Sequence, residues 1–472
     1  MITVLAAAAA ALVPLVTAAV ATRSATALDA RRVGTLGMAL ALSCGVLSGA
    51  TSDGGWDAML PAFVAAIGLT AVSMSAAGNA TPTRSARILL VIGATGALVV
   101  TDHPVALAIV WVASILPTWL ELRARPETRP SARAFAAYLT PSAALVTLGA
   151  LLLALGASPA VAVLPLAAGL AIREAMVPAH SWFPSFVEKA PMGLVVAFVA
   201  PQVGVYAHLR WLAAGLPPQL EDVIAALGAI TVVLAAALGA VQRSARRALG
   251  YLLMSQTALV AFGLEAHSAS GRMGALLAWL VCGIATAGFA MTTAALEARR
   301  GSLSLDRPSG SFRRIPSLAS AYLLLGLASV GLPGTLGFVA EDLLVNGTVE
   351  RFPVLGLTLI LGTGLNSVTI VRGFFALFTG SRRHAGERDL THRERAVLTL
   401  LVGSLLAAGL WPSGPIRWLS GVRRHEASEE AVDRQSSRSA LGRLEPEGAM
   451  HGAVAVVDGD RALGDLFDAR ER

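Results

Sequence analysis

Between Ile2 and Pro412 long apolar runs alternate with short polar breaks. A helix that crosses a bilayer needs about 20 mainly apolar residues. Runs of that order recur at roughly 2–22, 33–50, 57–76, 86–101, 104–121, 133–156, 159–176, 190–214, 221–241, 247–266, 272–296, 317–345, 354–379 and 395–412. Backbone groups in lipid must be satisfied within their own segment, so each run is predicted to be a helix. The pattern predicts an all-α polytopic membrane protein with about 14 transmembrane helices. The first run has no basic stretch ahead of it and exceeds a signal-peptide core, so it reads as a retained span.

The polar positions between the runs give an orientation. Arg23, Arg31 and Arg32 follow the first run, Arg84 and Arg87 the third, and Arg123, Arg125, Arg129 and Arg133 the fifth. Arg243, Arg246 and Arg247 follow the ninth; Arg299, Arg300, Arg307, Arg313 and Arg314 follow the eleventh. Arg382, Arg383, Arg388, Arg393 and Arg395 follow the thirteenth. Loops after even runs are nearly free of arginine, which places odd exits in the cytoplasm and both termini outside. The expected location is the plasma (inner) membrane of a prokaryote.

Composition agrees with the pattern. The 472 residues are 55% hydrophobic and 14% charged, with mean hydropathy +0.66, whereas soluble domains are about a quarter charged. The formal charge of +7 sits in interhelical loops, where it encodes topology, so nucleic acid is not an expected partner. Cys44 and Cys282 lie in apolar runs without metal-ligand or disulfide spacing. No CxxC set or dinucleotide-binding glycine motif is present. No cofactor, metal or catalytic residue is therefore expected, and any electron transfer would fall to other chains.

Ionisable groups inside spans usually mark ion paths or pairings. Arg173, Glu174 and His180 lie in "AIREAMVPAHSWFP" (171–184), which Pro178 and Pro184 interrupt. A second break, "GLPGTLGFVAE" (331–341), brings a carboxylate, Glu341, into an apolar helix, with Asp342 next to it. A broken helix at membrane depth is a common way to build an ion site, and two such breaks separated by five helices suggest two related halves. His208 and Arg210, near the end of the eighth span, read as interfacial; Glu265, His267 and Glu297 read as solvated span ends, and Asp102-His103 as a turn.

"VPAHSWFPSFVEKAP" and "GLPGTLGFVAE" resemble the proton-translocating membrane subunits of NADH-quinone oxidoreductase (subunits L, M and N) and the related subunits of multi-subunit sodium/proton antiporters and hydrogenases. "RRALGYLLMSQTALVAFGL", ending at Leu264, and "GVYAHLRW" (204–211) support the likeness, which covers roughly 85–412. It implies two inverted five-helix repeats, each with a broken helix. The chain then divides into N-terminal helices (1–84), a first antiporter-like half (85–215), a second (216–380), a last transmembrane helix (381–412) and a polar C-terminal tail (413–472).

In that family a line of ionisable side chains crosses the midplane. Here the fifth-span carboxylate position is Val112, the seventh-span lysine position is Arg173, and the eighth-span positions are Gln202 and Phe198. Gly283 and Ala287 stand at the eleventh-span positions, and Glu341 keeps the twelfth-span carboxylate. The chain has a single lysine, Lys189, against 36 arginines, and arginine holds its proton at any reachable pH. The lysine relay is absent. The expected proton pathway comprises Glu341, Arg173, Glu174 and His180, with Gln202, His208 and Asp342 as secondary members. Two arrangements stay open: Arg173 holding Glu174 charged in place of the lost carboxylate, or Arg173 paired elsewhere with Glu174 snorkelling. His180 is either a relay or a cap on a freed carbonyl.

The resemblance implies a subunit of a larger complex that moves H+ or Na+ and couples it to a membrane or soluble partner, as in an NADH-quinone oxidoreductase-like translocase or an inorganic-carbon uptake system. The lost ionisable positions leave open a non-conducting scaffold that anchors a soluble partner. The broken helices leave open an independent secondary transporter.

Overall fold

The computed structural model describes residues 1–76, 81–101, 103–310, 312–380 and 387–420. Asp102, Arg382, Arg383 and residues 421–472 of the polar tail lie outside them. Among the described residues there is no strand, only an isolated bridge between Ser244 and Ser304. The helices are α1 (Ile2–Thr22), α2 (Ala27–Thr51), α3 (Leu60–Ser73), α4 (Pro82–Val99), α5 (Pro104–Arg123) and α6 (Arg129–Ala154). The broken region holds α7 (Pro159–Arg173), α8 (Trp182–Lys189), α9 (Met192–Val199) and α10 (Val203–Ala207). Then follow α11 (Pro218–Ala240), α12 (Ala245–Leu264), α13 (Ala269–Arg300), α14 (Pro316–Ala328), α15 (Leu336–Arg351), α16 (Pro353–Phe378), α17 (His392–Leu410) and α18 (Ser413–Ser420).

The helix starts are written locally. Proline opens α4, α5, α7, α11, α14 and α16, where its missing N–H costs nothing. Thr26, Thr81 and Ser268 cap α2, α4 and α13 by accepting from the backbone N–H three residues on, and Thr391 and Glu394 form a capping box on α17.

Every predicted apolar run holds helix. Among the described residues nine helical segments are long and apolar enough to cross a membrane, ten if α17 and α18 are taken as one span bent by 85°. The other runs hold shorter or more charged helices, such as α3, α7 and α14. The run 190–214, expected to be continuous, is divided: Pro201 interrupts it, Gln202 turns left-handed (φ 46°), and a π turn, His208–Leu212, follows α10. The run 317–345 divides at the expected Gly/Pro segment, and the tail begins with a helix, α18.

The burial pattern separates centre from rim. In the Met192–Leu212 span, α12 and α13, 89% of the apolar window is buried inside the protein, against 33% in α1 and α16. Helix α13 is the hub, packing on α3, α9, α12, α14, α15 and α17. It carries the candidate site's second half beside the first.

The start of α14 is capped from a distant loop. Asp389 accepts from the backbone N–H of Ser317 and Leu318, both at 3.0 Å. Partial burial raises its carboxyl pKa, but hydrogen bonds from Ser317 and from the Leu390 and Leu318 amides outweigh this and hold it below the usual range. The stabilisation is complete above the unfolded pKa and is lost as pH falls through the lower folded value. Asp389→Ala is expected to cost about 1 kcal/mol at pH 7. In thermal melts of the detergent-solubilised protein, the difference from the native chain should shrink as pH falls below the usual carboxylate range.

Candidate ion-translocation site

Arg173 is the last residue of α7 and is 4% exposed. Its Nη1 donates to Ser114 Oγ at 2.9 Å, and its guanidinium carbon lies 4.5 Å from the Trp111 ring centroid and 4.1 Å from that of Phe198. Nη2 is buried and has no hydrogen-bond partner. Trp111 and Ser114, three residues apart, share one face of α5. Val112 lies about 100° round the helix from Trp111 and is 46% exposed, away from the guanidinium. The charge is held by aromatic faces and a hydroxyl.

Glu174 takes the C-cap of α7, and the chain leaves through Ala175 in a left-handed conformation (φ 55°). The carboxylate is buried and accepts the Gly204 N–H at 2.9 Å through Oε1. A Cβ at position 204 would overlap that oxygen, so this approach requires glycine. Among the described residues Arg173 and Glu174 form no ion pair. Among the described residues no other carboxylate pairs with Arg173 either, and Glu174 is buried rather than snorkelling.

The interrupted backbone is satisfied from neighbouring elements, as burial requires. Trp182 Nε1 donates to Ile172 O at 3.2 Å, Val177 N–H donates to Thr231 Oγ1 at 3.0 Å, and Trp279 Nε1 donates to Pro201 O at 3.0 Å. His180 lies half-buried in this loop with an unpartnered Nδ1, and the Ile172 carbonyl is capped by Trp182 instead.

Two small cavities flank Glu174. One, of about 10 Å³, is lined by Arg173, Glu174, Phe198, Gln202 and Thr257 among others. The other, of about 30 Å³, is lined by Glu174, Gly204 and His208 with apolar residues of α7, α11 and α12. Of the residues lining either, Glu174 alone lines both. The first has room for about one water and the second for one or two. Gln202 Oε1 is buried and unpartnered at the first, which gives a water there a ready donor role.

His208, on the π turn, places Nε2 3.5 Å from Glu265 Oε1. Glu265 was expected to be a solvated helix end and is instead 0% exposed, with neither carboxylate oxygen hydrogen-bonded. His208 likewise lies inside rather than at an interface. The starting turn of α11 and the end of α15 close over this end: Arg351 donates to Glu265 O at 2.9 Å and to Glu221 Oε2 at 2.8 Å.

Glu341 sits on α15 with its Oε2 tucked against Gly331 (φ 78°), where a Cβ would strike it. Asp342 is exposed on another face and shares neither Glu341's surroundings nor those of Glu174. The structure brings Arg173, Glu174, Gln202 and His208 together, and leaves His180 and Glu341 outside both cavities. Neutral polar side chains are buried on α12, α13 and α16. Thr257 reaches the first cavity, Cys282 Sγ donates to Gln256 Oε1 at 3.2 Å, and Asn366 Nδ2 donates to Ser255 Oγ at 2.9 Å. Gln256 Nε2 and Asn366 Oδ1 are buried without partners. Their signal was available as uncharged polar residues in runs whose whole circumference is apolar.

Residues 144–366, which contain both breaks and every residue of this line except Trp111 and Ser114, match the family described as NADH:quinone oxidoreductase/Mrp antiporter, TM. Over those residues the chain is similar to that family. Among NADH-quinone oxidoreductase relatives, subunit M of Mycobacterium tuberculosis is 29% identical over 249 residues, covering 51% of this chain and 45% of that protein. Subunit 13 of Thermus thermophilus is 29% identical over 251 residues, covering 52% and 53%. The chain thus spans about half the length of the curated relatives it matches. A chain of respiratory complex I from Thermus thermophilus with bound NADH superposes with TM-score 0.79 at 23% identity, over 91% of this chain and 99% of that one. A chain of the Mrp complex from Dietzia sp. DQ12-45-1b gives 0.77 at 17%, over 89% and 97%. These two likenesses are of fold. The all-α fold of a multi-pass membrane subunit expected from the sequence is therefore present.

Proposed function

We propose that the chain is a proton-translocating membrane subunit of a larger complex, in which Glu174 replaces the family's lysine as the ionisable centre of the first half and Glu341 serves the second. One observation carries the reading: a buried carboxylate is the side chain shared by two water-sized cavities. A carboxylate there takes a proton from one chamber and releases it to the other when water bridges it. Among the side chains lining the two cavities Glu174 is the one carboxylate, so a proton crossing between them has one acid on which to rest. The broken elements α7–α10 and α14–α15 fit two inverted five-helix repeats within fourteen spans. The arginine distribution puts the Glu265 end outside and the wide cavity of about 430 Å³, lined by Arg84, Arg125, Lys189, Arg246, Glu188 and Glu297 among others, on the cytoplasmic side as a vestibule. From there the route runs through Gln202, Glu174 and His208 towards Glu265, and by Thr257, Gln256 and Cys282 towards Glu341. The driving reaction belongs to partner subunits, membrane-embedded or soluble.

A second reading, a non-conducting scaffold, draws on Arg173, which is enclosed by aromatic rings without a carboxylate. Proton flux separates the two. Proteoliposomes prepared with the subunits that co-purify with the chain, energised by a potassium diffusion potential, should show at least tenfold slower internal acidification for Glu174→Gln than for the native protein. The glutamine oxygen retains the Gly204 N–H bond, so folding is preserved. Equal rates in the two preparations would favour the scaffold.

A further inference from the structure

The closed end of the bundle, where the proposed route ends at Glu265, carries a cluster of ligating groups. Glu221 lies in the first turn of α11, and Glu265 and His267 lie in the turn after α12. One ligand atom from each lies within 4.8 Å of the others. Glu221 Oε1 is 3.3 Å from His267 Nε2. The Glu265 carboxylate, fully buried, has no hydrogen bond to either oxygen. A buried carboxylate in that condition is costly, and a coordinated cation removes the cost. Arg351 does not do so, because its guanidinium is engaged by Glu221 Oε2 and by the backbone oxygen of Glu265 rather than by the carboxylate.

We propose that Glu221, Glu265 and His267 form a divalent transition-metal site for which zinc is the fitting ion. Two carboxylate oxygens and an imidazole nitrogen are a zinc donor set, whereas calcium takes six to eight oxygens and magnesium keeps most of its waters. Zinc–ligand bonds near 2 Å bring the three donor atoms somewhat closer together than they lie here, a change within reach of side-chain rotation. The fourth position is open to water or to His208 Nε2, 3.5 Å from Glu265 Oε1. His267, with 49% of its side chain exposed, is the point of entry. Arg351 beside Glu221 offsets part of the negative charge and so limits the affinity. Glu221 and Glu265 lie far apart in the chain, so no ligand spacing announced the site in the sequence. The site stands whether or not the chain conducts protons.

The test is isothermal titration of the full-length chain in detergent, carried on a tag without histidine and stripped with a chelator. Zinc chloride should give one saturable site per chain, and calcium chloride none. His267→Ala and Glu265→Gln should each weaken zinc binding at least tenfold, while His392→Ala, an exposed histidine on α17, should leave it unchanged. His267→Ala alters a half-exposed turn and should fold as the native chain does by thermal melting. Absence of saturable zinc binding to the native chain, or native-like binding by both variants, overturns the proposal.

Discussion

Proteoliposomes carrying Glu341→Gln should acidify at least tenfold more slowly than those carrying the native chain, with thermal stability nearly unchanged. On the proposed route Glu341 is the ionisable group of the second half, and Gly283 and Ala287 offer no titratable atom. The neutral residues around it, Cys282, Gln256 and Asn366, conduct a proton by exchanging hydrogen bonds but cannot store one at physiological pH. A glutamine at 341 fills the same volume against Gly331 and keeps an oxygen for its neighbours, so it removes the storage step and little else. A tenfold fall corresponds to about 1.4 kcal/mol on the barrier, a modest demand on a group that provides the resting place for the charge. Glu341→Asp, which withdraws the carboxylate from Gly331 by one methylene, should retain intermediate flux. Equal flux in the native and glutamine proteins would remove Glu341 from the path.

The second large effect concerns stability. Gly331→Ala should destabilise the protein by about 2–4 kcal/mol, because two costs add. The residue holds φ 78°, a left-handed conformation that costs an L-residue about 1–2 kcal/mol, and its new Cβ would collide with Glu341 Oε2. Only the second cost depends on residue 341. In the double variant Gly331→Ala/Glu341→Ala the collision is gone, so the two substitutions should be non-additive by about 1–2 kcal/mol, in the sense that the second one is partly forgiven. Thermal or denaturant unfolding of the four proteins in one detergent measures this. Strict additivity would mean that the carboxylate does not rest on the glycine.

The sequence displayed the transmembrane helices because lipid allows few alternatives: apolar runs had to be helices, and proline, threonine and serine marked where several begin. The break at 331–337 was legible because four of seven residues there are glycine or proline. The break at Pro201–Gln202 was not, since one proline in a long apolar run is tolerated in membrane helices whose neighbours satisfy the freed groups. That satisfaction, by Trp279, is a tertiary fact. The same division holds for the site. Arg173, Glu174 and Glu341 stood out as charges where charge is expensive. Their partners did not: Ser114, Trp111 and Phe198 reach Arg173 from two other helices, and Gly204 meets Glu174 across a turn. Glu265 was misplaced for the same reason. It ends a helix, which favours exposure, but α11 and α15 cover that end.

The aromatic enclosure of Arg173 has a consequence for which cation the proposed route admits. A guanidinium retains its charge throughout the physiological range, so whenever Glu174 is protonated the proposed first half holds a net positive charge at depth. A sodium ion about 6 Å away would be repelled by roughly 3 kcal/mol at an effective dielectric constant of 20. A proton arriving at the adjacent carboxylate instead disappears into an O–H bond and leaves no free cation to repel. On the proposed route Arg173 would thus act as a filter, discriminating against alkali-metal ions without contacting any of them.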